Sequence, residues 1–388
     1  MKILGVVSSP RFSRVPDGRL EKFFKDGDVF NAVHEIGYEG KVSNSQALLL
    51  AALWSAKNEG ADVDIMYPGD TIPDFDGVVM SSPVYFGDRS SHLHDFIRNV
   101  DMKDKSVGIV SSGAKRNGGQ ETTNIYALYD CLDKGALITG NGPPTAQYGG
   151  TGWAGNKTAI VNDDFGITTS VGTGRQVTKL AQLINSPECT KKPTILLMVV
   201  TTDPIDISFS DKFKDCNVKV IDITKEDIKR CIACPVCPNG DLEAEYTCII
   251  PNDGMSRIHD DMMSADGVIF VSGTDDTKFQ IFIERTRFIR RNHFEWEERV
   301  YSSFSETKSI TDILPIRVMT NMLRQNMFGL QFFRECRGFT NIDIDLYVKM
   351  IEKYTRKSMT LRESSNVDSR YTAVGYEDAK INEKAYRD

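Results

Sequence analysis

The sequence lacks any apolar run long enough to cross a membrane. Its longest apolar stretches, such as residues 195–200, have the length of a strand, whereas a membrane-spanning helix needs about 20 residues. The opening residues MKILGVV lead directly into Ser and Pro, without the segments of a cleaved export signal. We therefore expect a cytoplasmic protein without a membrane partner.

Concentrated positive charge is also missing. The 47 Lys and Arg residues are outnumbered by 54 Asp and Glu residues, which gives a net charge of −7, and the basic residues are spread along the chain. Binding to a nucleic acid backbone favours a clustered basic surface. We therefore expect no nucleic acid partner.

Cysteine is scarce, with eight residues in 388, which is too few for a disulfide scaffold in a chain of this length. Four of them nevertheless fall between positions 231 and 248. This clustering favours a metal site that is kept reduced in the cytosol. The scattered cysteines are expected to be buried or half-buried thiols, and they are Cys131, Cys189, Cys216 and Cys336.

The length and the apolar pattern predict two α/β domains. A chain of 388 residues exceeds what one core usually serves. In the amino-terminal half, strand-length apolar runs alternate with amphipathic helices, a pattern typical of a parallel sheet covered on both faces. The predicted strands of this half lie at residues 2–7, 62–66, 77–81, 106–111 and 136–139.

A second alternating series begins after a polar, proline-containing linker. It gives three strands but no recognisable fourth, and residues 310–334 are predicted as a helix. We therefore expect a first domain at residues 1–188 with an insertion at 12–42, and a second, altered or shortened domain at 193–357. The polar residues 358–388 are expected to form a C-terminal arm.

Three loops of the first domain follow predicted strands, at the edge where parallel sheets bind ligands. The first loop and the start of the next helix offer hydroxyl groups and free helix N–H groups, which suit a monophosphate. The second loop offers apolar side chains for the face of a flavin ring, and the glycine-rich turns expose backbone N–H groups for its polar edge. Each loop alone is typical of an ordinary turn, but the three together favour FMN. The candidate residues are Ser9, Arg11, Ser43, Asn44, Ser45, Ser82, Pro83, Val84, Tyr85, Phe86, Gly87, Ser112, Gly113, Gly118, Gly119, Gln120, Glu121 and Thr122.

The second of these loops also contains the nearest candidate for a catalytic residue. Val84, Tyr85 and Phe86 supply the apolar contact that the face of a flavin ring needs. Tyr85 additionally carries a hydroxyl group, so it is the residue we would assign as a proton donor.

The clustered cysteines have the spacing of an iron–sulfur site. Cys231, Cys234 and Cys237 are each separated by two residues, and Cys248 follows after ten more. Three thiolates in one tight loop and a fourth from a neighbouring turn suit a [4Fe–4S] cluster. Structural zinc, which more often uses two separate Cys-x-x-Cys pairs, is an alternative, as are a redox-active thiol pair and inert thiols.

These motifs resemble those of the flavodoxin-like NAD(P)H-dependent FMN reductases and iron–sulfur flavoproteins. The segments SSPVYFG, GGQET and CIACPVC carry the resemblance, which covers most of residues 1–185 and extends to the cysteine segment. The resemblance implies tandem flavodoxin-like domains with doubly wound parallel sheets. It also implies that SSPVYFG lies along the flavin ring, that GGQET closes its other side, and that NAD(P)H is an electron donor.

The second domain is expected to have lost its own flavin. Its first strand ends near Asp203, and its third is followed by Asp275 and Asp276, where acidic side chains would repel a phosphate and replace the ring contact. The first domain would then hold FMN and the second the cluster. The family pairs identical subunits so that one cluster lies near the partner's flavin. We therefore expect a homo-oligomer, or a fused tandem that reproduces this arrangement.

The two cofactors together indicate the function. FMN exchanges electrons singly or in pairs, whereas a cubane cluster passes one at a time. We expect a flavin-dependent oxidoreductase that transfers electrons from ferredoxin or NAD(P)H to a small-molecule acceptor. One alternative is a substrate-specific flavin reductase of a small organic molecule, with the insertion and the arm building a pocket. Another is a non-catalytic binding protein that holds zinc at the cysteines.

Overall fold

The computed structural model describes residues 1–39, 42–155, 159–234, 248–273, 277–291, 294–307 and 313–365. The chain divides into two compact units, Met1–Asn185 and Ser186–Asp388. Each unit is an α/β fold built on a mostly parallel sheet, which confirms the predicted fold class. Every helix within the described ranges is too short or too polar to cross a bilayer.

The first unit has a parallel sheet with flavodoxin-like strand order. Its strands are β1 (Lys2–Val7), β2 (Asp62–Met66), β3 (Gly77–Pro83), β4 (Ser106–Gly113), β5 (Leu137–Ile138) and β6 (Gly150–Trp153). Their order across the sheet is β2-β1-β3-β4-β5, and β6 pairs with the carboxyl-terminal half of β4. The order 2-1-3-4-5 defines the flavodoxin-like fold and places its ligand crevice between β1 and β3. All five strands predicted for this half are confirmed.

Helices cover the first sheet from the connections between its strands. They are α1 (Asp17–Lys25), α2 (Val29–Glu39), α3 (Asn44–Asn58), α4 (Ser91–Asn99), α5 (Gln120–Asp133) and α6 (Asp164–Asn185). The helices α3 and α6 pack against each other, and α4 packs against α5. This pairing is the one that a doubly wound sheet produces, with one helix pair on each face.

The predicted insertion is part of the core of the first unit. Leu48, Leu49, Leu50 and Leu53 are all fully buried, so α3 is apolar on every side and must be covered on both. The sheet covers one side of α3, and the insertion helices α1 and α2 pack on the helix as well. The interpretation of the insertion as a flap or partner contact is therefore wrong for its described residues.

Shortening a buried side chain of the insertion should destabilise the whole unit. Ile36 in α2 is 6% exposed and belongs to the apolar core around α3. We expect Ile36→Ala to lower the free energy of unfolding by about 2–5 kcal/mol, measured by chemical denaturation. Phe30→Ala on the same helix is the control, because Phe30 is 39% exposed. Equal, small effects of the two substitutions would show that the insertion is only a surface flap.

The second unit has the same strand order as the first. Its strands are β7 (Thr194–Val199), β8 (Asn217–Asp222), β9 (Gly267–Ser272), β10 (Val300–Thr307), β11 (Phe328–Gly329), β12 (Phe333–Cys336) and β13 (Phe339–Thr340). The order is β8-β7-β9-β10-β11, β12 follows β11 along β10, and β13 is antiparallel to β12. The second unit is therefore altered rather than shortened, since all five strand positions of the fold are filled.

The fourth strand, which sequence reasoning did not find, is β10. Its sequence VYSSFSET reads as polar, but Ser302, Ser303 and Ser305 are all buried. Ser302 Oγ donates to the carbonyl of Gln331 at 2.8 Å, and Ser303 Oγ to that of Phe270 at 3.3 Å. Hydrogen bonds of this kind allow serine hydroxyls to be buried.

The helices of the second unit correct two further predictions. They are α7 (Met255–Ser264), α8 (Thr277–Arg285), α9 (Arg287–Arg291), α10 (Leu314–Arg324) and α11 (Ile344–Ser364). The helix predicted at 310–334 is wrong beyond α10, because β11 and β12 follow it. The arm predicted from residue 358 is wrong for 358–364, where α11 continues with Met359 and Leu361 buried. Residues 366–388 lie outside the described residues.

Candidate functional site

The predicted ligand loops of the first unit meet at the carboxyl ends of β1, β3 and β4. Ser8 and Ser9 follow β1 and are buried. Ser90 caps α4, and its hydroxyl donates to Ser8 Oγ at 2.7 Å. Ser90 N–H in turn donates to Ser82 Oγ at 2.9 Å. These bonds join the first loop to the second, and Ser90 was not among the predicted site residues.

The amino-terminal end of α3 forms a candidate phosphate site. Ser43 caps the helix by accepting from the amide of Gln46, and Asn44 begins the first turn. The Ser45 hydroxyl is buried and has no partner within the described residues. Helix starts leave N–H groups without an intrahelical partner and attract anions. An unpaired buried hydroxyl beside them fits a phosphate group.

The loop after β1 is fastened to this helix start despite the intervening insertion. Gln46 donates from Nε2 to the carbonyl of Ser13 at 2.7 Å and accepts from its amide at 3.2 Å. The Arg11 amide donates to Ser9 Oγ at 3.2 Å, while the Arg11 side chain is exposed. The structure therefore brings the Ser9 loop to the Ser43–Ser45 segment, through a glutamine that sequence reasoning missed.

The SSPVYFG segment ends in a tight turn with its aromatic residues exposed. The amide of Asp88 donates to the carbonyl of Tyr85 at 3.0 Å, and φ is +55° at Phe86 and +82° at Gly87. Two successive positive φ values define a type I′ turn. An aromatic residue at positive φ is strained and uncommon, and Phe86 is fully exposed. Strain of this kind is typical of functional loops.

The GGQET segment packs directly against this turn. Gly119 immediately precedes α5 with φ of +99°, and a Cβ atom there would lie 2.8 Å from Gly87 Cα. Thr122 Oγ1 donates to the carbonyl of Gly87 at 2.8 Å. The amide of Val84 donates to the carbonyl of Ser112 at 3.0 Å. The second and third predicted loops therefore form one continuous surface in which glycines permit the close approach.

Gln120 organises its own loop through its side chain. It accepts from the amide of Gly118 at 2.8 Å and donates to the carbonyls of Lys115 and Gly152 at 2.7 and 3.0 Å. Its side-chain amide also packs on Gly113, where an added Cβ would clash. Gln120 is thus engaged in shaping the loop, whereas Glu121 in the first turn of α5 is exposed.

A buried ion pair that sequence reasoning missed holds the same loop from the other side. Arg116 pairs with Asp163, whose side chain is 2% exposed. Asp163 also accepts from the amide of Trp153 at 2.6 Å, and the Arg116 guanidinium lies 5.4 Å from the centre of the Phe165 ring. The pair joins residues 47 positions apart, so the local sequence carries no signal of it.

In the second unit, the segment after the first strand does not form an α-helix whose amino-terminal end could bind a phosphate. All residues between β7 and β8 are described, and they form only a short 3-10 turn at Ser208–Lys212. Phe209 of this turn stacks on Phe304 of β10 at 4.1 Å between ring centres. A Cβ atom on Gly273 would lie 2.7 Å from the Asp203 carboxylate, which therefore borders the end of β9. Asp275 and Asp276 lie outside the described residues.

The cysteine segment lies between β8 and α7 of the second unit. Cys231, Cys234 and Cys248 are half-exposed free thiols, and Cys237 lies outside the described residues. The amide of Ala233, at φ of +50°, donates to Cys231 Sγ at 3.4 Å. No three potential metal ligands in the described ranges lie together. The donor set fits a cluster chemically, because free thiols with amide donors to sulfur are what cluster loops use.

A second buried ion pair, also not predicted, lies beside the cysteine segment. Arg285 at the end of α8 donates to Asp253 Oδ2 at 2.5 Å and lines the same cleft as Cys248. Burial opposes ionisation of Asp253, but the hydrogen bonds from Arg285 and from the amides of Lys229 and Met255 hold its pKa below the ordinary value. The pair is therefore charged near neutral pH.

The four scattered cysteines are free thiols. Burial raises the pKa of Cys131 and of Cys216 to about 12, so both remain protonated thiols. Cys189 and Cys336 are half-buried and unpaired. The prediction of buried or half-buried thiols is confirmed for these four residues.

Known proteins resemble the chain in sequence and, more weakly, in structure. The family model of the NADPH-dependent FMN reductases matches residues 1–125. An iron–sulfur flavoprotein of Methanocaldococcus jannaschii is 31% identical over 199 residues, which are 47% of this chain and 99% of that protein. An iron–sulfur flavoprotein of Methanosarcina thermophila is 25% identical over 201 residues, 47% of this chain and 97% of that protein.

Two solved structures are also similar at low identity. A flavone reductase is 17% identical, with a TM-score of 0.32 over 48% of this chain and 64% of its own. A Fusobacterium nucleatum flavodoxin bound to flavin mononucleotide is 14% identical, with a TM-score of 0.27 over 46% of this chain and 95% of its own. The fold assignment therefore rests on the strand order rather than on these superpositions.

The strand order, the loop geometry and the sequence relatives agree. The chain belongs to the iron–sulfur flavoprotein family of flavodoxin-like FMN reductases. It is a flavin-dependent oxidoreductase.

Proposed function

We propose that the protein passes electrons from NAD(P)H or a ferredoxin-like one-electron donor to a small-molecule acceptor, through FMN in the first unit and a [4Fe–4S] cluster in the second. The observation that carries this proposal is that the two units share one fold but differ in the features that could bind a cofactor. Each unit has the features that the other lacks. The first unit has the helix start and glycine loops, with only residues 67–76 between β2 and β3. The second has no first crossover helix but carries the cysteines between β8 and β9.

Residues of the first unit would hold FMN by its two ends. Ser9, Ser43, Asn44 and Ser45 would surround the phosphate, and Arg11 would add a positive charge at its exposed side. The turn and the glycine loop would enclose the ring; the residues concerned are Ser82, Pro83, Val84, Tyr85, Phe86, Gly87, Ser112, Gly113, Gly118, Gly119, Gln120, Glu121 and Thr122. When bound, FMN supplies exchange of one or two electrons.

Tyr85 is proposed to hold a transferable proton at the rim of the flavin site. Its side chain is 47% exposed, so its hydroxyl can contact both a bound acceptor and solvent. We expect Tyr85→Phe to lower kcat for a proton-requiring acceptor by about 10²-fold while FMN affinity changes little. Steady-state kinetics and flavin fluorescence test this, with ferricyanide, which needs no proton, as the control acceptor. An equal loss with both acceptors would contradict the role.

Residues Cys231, Cys234, Cys237 and Cys248 are proposed to bind the cluster as thiolates. The amide of Ala233 already donates to the first of them, and such donors stabilise thiolate charge. The same residues also suit an alternative function, that of a non-catalytic protein that binds zinc. The alternative of a small-molecule reductase would need the insertion to line a pocket at the flavin. The described insertion helices pack on α3, and they also line a small cleft that includes Phe23 and Ile36.

The second unit should bind no flavin, so the protein should contain one FMN per chain. Helix N–H groups are a main source of phosphate affinity in such folds, and the second unit forms no α-helix between β7 and β8, only the 3-10 turn at Ser208–Lys212. Extraction of flavin from protein saturated with FMN and then dialysed should give a ratio near one. A ratio near two would contradict the assignment of a single flavin site.

A stepwise anaerobic reduction tests the electron path. The purified protein is mixed in turn with NADPH, NADH and reduced ferredoxin, and the flavin absorption and the paramagnetic signal of the cluster are followed. We expect at least one donor to reduce both cofactors, and addition of an acceptor to reoxidise both. Failure of every donor to reduce the flavin, or reduction of the flavin without the cluster at equilibrium with all donors, would refute the proposed path.

A further inference from the structure

The buried ion pair of the second unit is the starting point. The side chains of Arg285 and Asp253 are 1% and 0% exposed. Burial of a guanidinium is favourable only when its charge is paired and its N–H groups meet acceptors. The partners of Arg285 therefore indicate what holds it in place and what it holds.

The pair joins the two ends of the cysteine segment. Arg285 Nη1 donates to the carbonyl of Lys229 at 2.8 Å, and the amide of Lys229 donates to Asp253 Oδ2 at 3.0 Å. The other carboxylate oxygen accepts from the amide of Met255 at 3.0 Å. Lys229 lies two residues before Cys231, and Asp253 lies five residues after Cys248. The chain entering the cysteine segment and the chain leaving it are thus fixed to one another.

The same guanidinium lies beside a cysteine and has one N–H group without an acceptor. Arg285 and Cys248 line the same cleft, together with His259 and Phe288. The Nε atom of Arg285 is buried and has no partner within the described residues. A buried donor without an acceptor is unfavourable, and a sulfur atom at this place would satisfy it.

We propose that Arg285 positions Cys248 as a ligand of the cluster and raises the reduction potential of the cluster. This inference rests on the proposed function, because it requires the cluster. A reduced cluster carries one more negative charge than an oxidised one, so a fixed positive charge and N–H donors to sulfur stabilise the reduced form. Arg285 is a positioning residue, and its role is distinct from that of the cysteines.

Two substitutions separate the geometry from the charge. Arg285→Lys keeps the charge but loses the planar fork that meets Asp253 and Lys229 together. Arg285→Met removes both. Arg257→Met is the matched control, since Arg257 pairs with Glu226 in the same unit at an exposed site. All four proteins are prepared anaerobically, and iron, FMN and the cluster midpoint potential are measured, the last by titration with dithionite and mediators.

We expect the control to equal the wild type in iron content and potential. Arg285→Met should shift the reduction equilibrium at least tenfold toward the oxidised cluster, which is 59 mV for a one-electron couple, and Arg285→Lys should shift it less while binding less iron. An unchanged potential in both Arg285 variants would overturn the inference and leave the proposed function intact. If Arg285→Met does not fold, the midpoint potential of Arg285→Lys alone tests the inference. Absence of iron from the wild type would overturn both.

Discussion

Serine in place of Cys234 is expected to abolish iron binding and to leave FMN bound. Cys234 is the middle cysteine of the run Cys231, Cys234 and Cys237, so its loss would remove a proposed ligand that no neighbouring thiol could replace. Substitution of residues that only support a ligand already costs 10–100-fold in metal affinity, and loss of a ligand should cost more. Iron and acid-labile sulfide should fall to background, while flavin fluorescence after extraction stays at the wild-type level.

The same substitution should also slow electron transfer to the flavin. With the cluster absent, reduction of the flavin by a one-electron donor should slow by more than about 10²-fold if electrons enter through the cluster. Cys336→Ser is the matched control, because Cys336 is a half-buried, unpaired thiol in β12 of the same unit. Retention of iron by Cys234→Ser, or equal losses in the two variants, would contradict the assignment of the cysteine segment as the metal site.

Alanine in place of Gly119 is expected to weaken FMN binding. Gly119 has φ of +99°, and its added Cβ would lie 2.8 Å from Gly87 Cα and 3.2 Å from Val84 Cγ1. The glycine loop and the aromatic turn would be pushed apart at the surface that is proposed to enclose the flavin ring. Strain of this kind costs about 1–3 kcal/mol, so the Kd for FMN should rise roughly 5–150-fold. Quenching of flavin fluorescence on binding gives the affinity directly.

A second glycine provides a control that separates the effect of the steric clash on FMN affinity from the effect of backbone strain. Gly60 has φ of +84°, and nothing lies within 4 Å of a Cβ atom built on it. Gly60→Ala therefore has the backbone strain without the clash and lies between α3 and β2, away from the predicted loops. It should reduce stability and leave FMN affinity unchanged. Wild-type FMN affinity in Gly119→Ala would show that these two loops do not enclose the flavin.

The sheet of the first unit could be predicted because its central strands are buried on both faces. Strands such as β3, with Val78, Val79 and Met80 fully buried, appear as continuous apolar runs. β10 occupies an equally buried position but uses Ser302, Ser303 and Ser305, so a pattern based on apolar residues overlooks it. Ser302 and Ser303 bury their hydroxyls by hydrogen bonding, and serines in a strand give no hydropathy signal.

The insertion was misinterpreted although the sequence contained the relevant signal. The run QALLLAALW gives α3 no polar face, and a helix without a polar face must be covered on both sides. The segments on either side of it in the chain are the natural cover, and α1 and α2 fulfil that role. The composition of the insertion itself, rich in charge and glycine, pointed to an exposed flap instead.

For the candidate site too, features within one short segment could be predicted, whereas contacts between distant segments could not. Loops such as SSPVYFG and the cysteine run are contiguous, so their chemistry is visible in the sequence. The residues that support them form pairs distant in sequence, with Arg285 and Asp253 separated by 32 positions, and Gln46 and Ser13 by 33. Such pairs arise only when the fold brings crossovers together. The roles of the predicted FMN and cluster ligands stay predictions until they are measured.

The most direct test of the central claim is the cofactor content of wild-type protein purified without oxygen. Iron, acid-labile sulfide, zinc and FMN are determined per chain on one preparation. A flavin site in the first unit and a cubane in the second predict about four iron atoms, about four sulfide ions and about one FMN per chain, without zinc. A colourless preparation that holds zinc, or a yellow one without iron and sulfide, would contradict it.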